Sequence, residues 1–229
     1  MILLLQNEVA TKATEEAAEA SLSIMDLITN SGTSGVAIIA ILGVLLFIAV
    51  YIYLERIFTV RAATKIDANF MNQLNSHISV GNLEAAKIQC AQSKSPVARL
   101  IEKGISRIGK PLDDINKAIE NAGRLEVYKL EKGVSSLATI AGAAPMIGFL
   151  GTVVGMILAF HQMASGGGSI DIAALAGGIY TAMTTTVAGL VVGIIAYIAY
   201  NHIVVKTEKV VHTMEATVVE FLDLLNEPV

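Results

Sequence analysis

One stretch of the sequence reads Ala144-Pro-Met-Ile-Gly-Phe-Leu-Gly-Thr-Val-Val-Gly-Met-Ile-Leu-Ala-Phe160, and this stretch decides the fold. It is apolar, carries no charge, and contains Gly148, Gly151, Thr152 and Gly155 within one short span. Each glycine weakens a helix in water by about 1 kcal/mol relative to alanine. In a membrane, small residues instead allow helix backbones to approach closely. The stretch therefore predicts a transmembrane helix with neighbours packed on several sides.

The composition of the whole chain also indicates a membrane protein. Of its 229 residues, 54% are hydrophobic, and the mean hydropathy is +0.63. These values are too apolar for an ordinary globular domain. The net charge of −4 is mild, so the basic surface that nucleic-acid binding requires is absent and no nucleic-acid partner is expected. Cys90 is the only cysteine, which excludes an intrachain disulfide.

Charge-free stretches of sufficient length predict an all-α integral membrane protein with three transmembrane helices. Two of these helices are expected to extend into the cytoplasm, where a helical domain accompanies them. Residues 21–33 have an amphipathic helical pattern, which fits an interfacial helix or a plain lead-in to the first span. The predicted order is a disordered outward-facing tail (1–20), the amphipathic interfacial helix (21–33), transmembrane helix 1 (34–56), a cytoplasmic helical domain (57–133), transmembrane helix 2 (134–160), an outward-facing turn (161–171), transmembrane helix 3 (172–200) and a cytoplasmic helical tail (201–229).

Local signals divide the large polar segment into helices. Gly81-Asn82 predicts a break followed by a capped helix, and Ser95-Pro96 predicts a cap with proline in the first turn. Gly109-Lys-Pro111 predicts another break. No proline follows until Pro145, so a helix that runs unbroken from Leu112 into the membrane is expected, with a kink or widened turn at Pro145.

Apolar residues in the tail recur at heptad spacing. Two interpretations remain open: the seam packs against a neighbouring subunit, or it packs on residues 112–133 of the same chain. The seam consists of Val204, Val211, Met214, Val218, Phe221 and Leu225.

The distribution of basic residues predicts the orientation in the membrane. The turn 161–171 has none, the amino-terminal tail has Lys12 alone, and the carboxyl-terminal tail has Lys206 and Lys209. The amino terminus and the turn are therefore expected outside, and the large segment and the carboxyl terminus in the cytoplasm. The large segment contains thirteen basic residues: Arg56, Arg61, Lys65, Lys87, Lys94, Arg99, Lys103, Arg107, Lys110, Lys117, Arg124, Lys129 and Lys132.

No enzyme signature is found, and no catalytic residue, metal ligand or cofactor is predicted. Gly166-Gly-Gly168 lacks the lysine and helix start of a phosphate-binding loop, so it is interpreted as a spacer. His161 and His202 are expected at opposite interfaces, where they cannot share one metal ion and fit interfacial capping.

The third span carries a small-residue ladder at every fourth position, which predicts close helix packing. Its members are Gly177, Thr181, Thr185, Gly189 and Gly193. Thr184 and Thr186 widen the polar surface. Threonines in membrane helices often bond only to their own backbone, yet three in a row opposite Thr152 favour a polar cavity or pore. Residues 36–54, 134–160 and 172–200, the charge-free parts of the three spans, contain no Asp, Glu, Lys or Arg, so this chain alone supplies no ionisable proton relay.

These residues resemble the MotA/TolQ/ExbB proton-channel family, and ExbB most closely. The resemblance rests on the stretch from Ala144 to Gly155, on Gly178-Ile-Tyr-Thr-Ala-Met-Thr-Thr-Thr-Val-Ala-Gly-Leu190, and on three spans with a large cytoplasmic loop. Thr152 and Thr186 fall on the family's pore-lining threonines. Thr181 stands where the family often has a glutamate, and Ile195 where it often has a proline.

The resemblance implies a homo-oligomeric ring, expected to be a pentamer, in the lipid of the bacterial inner membrane. The ring would enclose an ExbD-like single-span partner and use proton-motive force to drive a TonB-like protein, which energises outer-membrane transport. A TolQ-like subunit for envelope integrity is a second interpretation. A non-conducting membrane scaffold, whose threonines serve packing alone, is a third interpretation from a different class.

Overall fold

The computed structural model describes residues 32–64, 69–93, 95–165 and 172–226. Within these residues the chain is helical and contains no strand. Three helical stretches are long and apolar enough to cross a membrane: Ser34–Thr64, Leu112–Ser165 and Leu175–Asn226. The predicted all-α fold with three membrane-spanning helices is therefore confirmed.

Seven helices are present in the described residues, and the three longest contain the apolar stretches. They are α1 (Gly32–Thr64), α2 (Phe70–Ser79), α3 (Leu83–Gln92), α4 (Pro96–Ile105), α5 (Leu112–Glu131), α6 (Val134–Ser165) and α7 (Ile172–Asn226). At 1.5 Å per residue, α7 is far longer than the roughly 30 Å hydrocarbon layer, so part of it extends into water. Its apolar half precedes its charged half, as the sequence predicts.

The described residues divide into two compact units. Unit 1 contains residues 32–45 and 143–193, and unit 2 contains residues 46–142 and 194–226. Helices α1, α6 and α7 contribute to both units, whereas α2 to α5 belong to unit 2 alone. Unit 1 thus holds the glycine- and threonine-rich stretches, and unit 2 holds the polar helices.

Turn chemistry sets the short helices of unit 2 largely as the sequence predicts. Gly81 adopts a φ of 77° and Gly109 a φ of 94°, the left-handed region that glycine enters without a Cβ clash. Asn82 caps α3, because its Oδ1 accepts a hydrogen bond from the Ala85 N–H at 3.1 Å. Ser95 has extended backbone angles before Pro96, but its side chain makes no capping bond, contrary to the expected cap.

The expectation of an unbroken helix from Leu112 into the membrane is wrong. Helix α5 ends at Glu131, and α6 begins at Val134 after Gly133 turns with a φ of 80°. A glycine here supplies a left-handed residue that terminates α5 without strain. The expectation rested on the absence of proline between Leu112 and Pro145 and did not allow for a break at Gly133, although glycine breaks were predicted at Gly81 and Gly109.

Helix α6 continues past its predicted end at 160 and reaches Ser165. No helix breaker lies between His161 and Ser165, and the Ser165 hydroxyl donates to the His161 carbonyl at 2.9 Å. Pro145 lies inside the helix without ending it. The amino-terminal tail 1–20, residues 21–31 of the predicted interfacial helix, and residues 166–171 of the predicted turn lie outside the described residues.

The core of unit 2 decides between the two interpretations of the heptad seam. Met214 and Phe221 are buried in it, and Val218 and Leu225 pack against it. A Cβ on Gly104 would lie 2.6 Å from Phe221 and 2.8 Å from Ile119, so these residues meet inside one chain. These four seam residues thus pack on their own chain, whereas Val204 and Val211 are not part of this core. The buried residues of this part of α7 are Ile203, Thr207, Val210, Met214 and Phe221.

Candidate functional site

In unit 1, α6 and α7 touch through their backbones. A Cβ placed on Gly148 would lie 2.7 Å from the Thr185 carbonyl oxygen and 3.0 Å from the Gly189 Cα. A Cβ on Gly189 would lie 2.6 Å from the Ala144 carbonyl oxygen. Backbone atoms cannot move aside as flexible side chains can, so only glycine fits at these two positions. We call this contact between α6 and α7 the small-residue contact.

The small-residue contact extends along both helices. A Cβ on Gly155 would lie 3.1 Å from the Ala182 Cβ, and one on Gly178 would lie 2.5 Å from the Ala159 Cβ. A Cβ on Gly151 would overlap the Thr185 side chain. The repeated small side chains therefore hold the two helices at close approach over about four turns, as membrane helices with glycine and alanine at their interface do.

The ladder predicted from the sequence follows the small-residue contact only in part, because Thr185 and Gly189 lie in the contact and Gly177 does not. A Cβ on Gly177 would meet nothing within 4 Å, because its neighbour Gly178 faces α6 instead. A residue turns about 100° around a helix axis, so a repeat of four drifts by about 40° per step. The contact keeps its face by mixing steps of three and four. Gly193, at the far end of the ladder, is buried in unit 1.

Two threonine hydroxyls converge on one carbonyl in the small-residue contact. The Thr186 hydroxyl donates to the Gly148 carbonyl at 3.2 Å. The Thr185 hydroxyl lies 2.8 Å from the Ala182 carbonyl and 3.3 Å from the Gly148 carbonyl. Thr185 is fully buried, whereas Thr186 is half-buried. Thr185 is thus a packing residue of this contact, while Thr186 keeps an open side.

The other two predicted pore residues also bond to backbone carbonyls. Thr152, one helical turn beyond Gly148, donates to the Phe149 carbonyl at 2.6 Å. Thr181 is buried and donates to the Gly177 carbonyl at 3.0 Å. Each hydroxyl donates its proton in a hydrogen bond to a carbonyl of its own helix, but its oxygen retains lone pairs that can accept a hydrogen bond. Thr152 and Thr186 remain half-exposed and so can accept hydrogen bonds from outside this chain.

The polar groups of this region are threonine hydroxyls, which can form hydrogen bonds but do not change their charge. A threonine hydroxyl does not titrate near neutral pH, and residues 36–54, 134–160 and 172–200 contain no Asp, Glu, Lys or Arg. In the part of the chain that the structure describes, no cluster of three or more His, Cys, Asp or Glu residues is placed to bind a metal ion. The hydroxyls can hydrogen-bond a water or a carboxyl group, but they do not supply a titrating group.

Unit 2 contains a buried charge network that the sequence analysis did not identify. Arg56 is buried, pairs with Glu55, and donates from Nη1 to the Lys129 carbonyl at 3.0 Å. Glu126 is buried between Arg99 and Lys129, whose Nζ lies 2.7 Å from a carboxylate oxygen. The sequence identifies Arg56 only as one of the basic residues that predict the orientation, because a contact across 73 residues leaves no local signal.

His202 also has a partner in unit 2. Its Nδ1 lies 2.8 Å from the Tyr53 hydroxyl, and the two rings are 5.9 Å apart. This contact places His202 against α1 rather than in a metal site. The predicted interfacial role of His202 stays a prediction.

Comparison with known proteins identifies the family to which this chain belongs. The model of the MotA/TolQ/ExbB proton channel family matches residues 92–216, more than half of the chain. The chain belongs to this family. The match includes α4, α5, α6 and most of α7, and therefore the small-residue contact and much of the core of unit 2. The resemblance read from the sequence is confirmed.

Relatives with known names are biopolymer transport proteins of the ExbB type. An ExbB homologue of Methanothermobacter thermautotrophicus is 28% identical over 179 residues, covering 78% of this chain and 62% of the relative. ExbB of Xanthomonas campestris is 40% identical over 88 residues, covering 38% and 34%. An ExbB-like protein of Helicobacter pylori is 42% identical over 79 residues, covering 34% and 52%. The family member described here spans less than two thirds of each relative.

Proposed function

We propose that this family member is an ExbB-like motor subunit driven by the proton-motive force. It would form a homopentameric ring in the bacterial inner membrane, with its amino terminus in the periplasm and its carboxyl terminus in the cytoplasm. The ring would enclose an ExbD-like single-span partner and drive a TonB-like protein, which energises outer-membrane transport. The proposal is supported by membership of a proton channel family and by the relatives named for biopolymer transport.

One observation carries the proposed mechanism. Thr186 donates to the Gly148 carbonyl and Thr152 to the Phe149 carbonyl next to it, and each hydroxyl oxygen can still accept a hydrogen bond. Residues 36–54, 134–160 and 172–200 contain no Asp, Glu, Lys or Arg. A charge that moves through the membrane potential gains about 2.3 kcal/mol per 100 mV, but only if some group carries it. The carrier is then an aspartate on the partner helix. The threonines hydrogen-bond that carboxyl group and nearby waters, which offsets part of its desolvation.

Thr181 is the point at which this mechanism departs from the family pattern. It stands in place of the family's frequent glutamate, and its hydroxyl already donates to the Gly177 carbonyl. In the proposed ring it contributes to the polar lining without titrating. A TolQ-like role in envelope integrity uses the same mechanism with different partners, and no feature of the described residues favours it.

The experiment replaces Thr152 and Thr186 together by valine, which keeps the side-chain shape and removes both hydroxyls. Proton-dependent uptake by cells that contain the double variant is expected to fall about tenfold or more, because two hydrogen bonds to a charged group are lost. The complex should still assemble, as native mass spectrometry would show. Thr139→Val, in the amino-terminal half of α6, is the matched control, and cells that contain it should keep full uptake. Full uptake by the double variant at normal expression would favour the scaffold instead.

A further inference from the structure

Helices α5 and α6 meet at a short break that the local sequence does not require. Helix α5 ends at Glu131 and α6 begins at Val134, so only Lys132 and Gly133 lie between them. The sequence from 124 to 141 contains no proline and no other glycine. A single glycine within a helical pattern is often tolerated. The same sequence is therefore compatible with one continuous helix.

The break also lacks the backbone bonds that usually end a helix at a glycine. Gly133 follows the C-cap residue Lys132 with a φ of 80°, and in this position its N–H would ordinarily donate to the Lys129 carbonyl. Within the described residues, neither Lys132 nor Gly133 donates a backbone hydrogen bond to a carbonyl of α5. The last carbonyls of α5 are therefore open to a donor from another helix.

Arg56 of α1 provides that donor. Its Nη1 donates at 3.0 Å to the Lys129 carbonyl, the same carbonyl that the glycine cap would fill. Arg56 is only 7% exposed, so its guanidinium lies against the end of α5 with little water around it. The carboxyl-terminal end of a helix carries partial negative charge, which favours a cation there. Arg56 thus replaces a local backbone cap from a distant part of the chain.

A second contact from α1 reaches the break itself. A Cβ on Gly133 would lie 3.7 Å from the Ile52 Cγ2, an ordinary van der Waals distance. Ile52 precedes Arg56 by about one helical turn, so both residues lie on the same face of α1. One face of α1 therefore contacts both the break and the end of α5, and the bend is supported from outside rather than by its own residues.

We propose that the junction of α5 and α6 is a hinge with two forms, and that Arg56 favours the bent form. In the bent form, described here, Arg56 binds the Lys129 carbonyl. In the continuous form, the N–H groups of residues 132–135 donate to the carbonyls of residues 128–131, as in any α-helix. The Lys129 carbonyl then accepts from Gly133 instead of Arg56. Movement of α1 away from α5 releases the hinge, and this device does not depend on the proposed function.

Hydrogen exchange of the full-length protein in detergent tests the role of Arg56. Arg56→Met removes the donor and keeps a long side chain that suits a buried position. We expect the amide hydrogens of residues 132–135 to exchange about tenfold more slowly in this variant, because the continuous helix bonds them. A role in packing alone predicts faster exchange, since the junction would loosen. Unchanged or faster exchange would overturn the proposal. Arg61→Met, at an exposed position of the same helix, is the control and should change nothing.

Gly133→Ala tests the hinge while Arg56 stays in place. A residue with a Cβ disfavours a φ of 80°, so alanine should shift the junction toward the continuous form and slow exchange at residues 132–135 as well. Gly142→Ala is the matched control in α6, because its Cβ meets no described atom within 4 Å. Faster exchange at the junction of Gly133→Ala would contradict the existence of the continuous form.

Electron paramagnetic resonance measures the change of shape directly. Nitroxide labels are attached at Lys117→Cys and Thr139→Cys, two exposed positions on α5 and α6, in a Cys90→Ala background. A continuous helix separates these positions by about 33 Å along its axis, and a bend at Gly133 shortens the distance. We expect Arg56→Met to increase the population near the longer distance. A distance distribution equal to that of the labelled protein with native Arg56 would overturn the proposal.

Discussion

Gly148 and Gly189 lie at the tightest point of the small-residue contact, and this geometry makes a prediction at the scale of one residue. Gly189→Ala puts a Cβ 2.6 Å from the Ala144 carbonyl oxygen and 2.8 Å from the Gly148 Cα. The helices must separate to accept it, so we expect the free energy of unfolding to fall by about 1–3 kcal/mol, the usual range for overpacking. Unfolding of the protein by sodium dodecyl sulfate in mixed micelles, followed by circular dichroism, measures the change.

Gly177→Ala is the matched control, since its Cβ meets no described atom within 4 Å. The same glycine-to-alanine change there should leave stability equal or raise it by up to about 1 kcal/mol through helix propensity. Equal loss from both variants would mean that glycine matters for reasons other than the small-residue contact.

Sequence reasoning identified small residues but could not assign them all to a face. Gly148, Gly151, Gly155 and Gly189 do line the small-residue contact, because they fall at mixed spacings of three and four. Gly177 does not, because a strict repeat of four drifts around the helix.

At the scale of elements, Glu126 joins α4 to α5 and makes unit 2 sensitive to acid. Burial alone would raise the pKa of Glu126, but hydrogen bonds from Arg99 and Lys129, together with their charges, hold this pKa below its usual value. Because the folded-state pKa lies below the unfolded value, Glu126 adds stability above about pH 4.3 and loses it as the pH falls through the folded pKa. The midpoint temperature of thermal unfolding of the wild type should therefore fall as the pH is lowered through this acidic range.

Glu126→Gln isolates this contribution from that of other carboxylates. At pH 7 the variant should be less stable by about 2 kcal/mol, because two hydrogen bonds to charged donors are weakened. The difference between wild type and variant should shrink as the pH falls below 4. Glu120→Gln, whose exposed ion pair with Arg124 contributes little, is the control. A difference that stays constant with pH would contradict the role assigned to Glu126.

Helix boundaries show where element-level prediction succeeded and failed. The starts of α3 and α4 followed from Asn82 and Pro96, which act through local chemistry that any sequence displays. The separation of α5 from α6 depends on Gly133, and one glycine in a helical pattern is often tolerated. The Arg56 side chain, which donates to the Lys129 carbonyl near the end of α5, supplies long-range support that sequence spacing does not reveal.

At the scale of the whole molecule, the orientation in the membrane is a prediction from charge alone. Single cysteines at Ser169 and Ser106 report opposite sides: Ser169→Cys should be labelled by an impermeant thiol reagent from outside, and Ser106→Cys only after permeabilisation. The native thiol is removed first by Cys90→Ala. Alanine suits the buried site, whereas serine would place a hydroxyl in the core.

The wild-type protein provides the background control for this labelling. Burial and the charge of Glu102 raise the pKa of the Cys90 thiol to about 11, so the folded protein should react slowly on either side. Labelling of Ser106→Cys from outside in intact cells would reverse the predicted orientation.

The fold class was predictable because long charge-free stretches leave few alternatives in a membrane. The packing partner of the carboxyl-terminal seam was not predictable, because heptad spacing identifies an apolar helix face but not the residues that pack against it. Only the burial of Met214 and Phe221 beside α4 and α5 assigns that seam to its own chain. The proposed pore lining depends on other chains, so no inspection of one chain decides it.

The uneven space around the glycines also has a genetic consequence. A single-nucleotide change that alters a glycine codon's meaning always introduces a side chain or a stop, and alanine is the smallest outcome. At Gly43 and Gly142 the added Cβ meets no described atom within 4 Å, so such changes enter open space. At Gly148 and Gly189 even alanine meets backbone. Mutations at these two codons are therefore expected to be removed by selection, while the open glycine codons accumulate neutral variation.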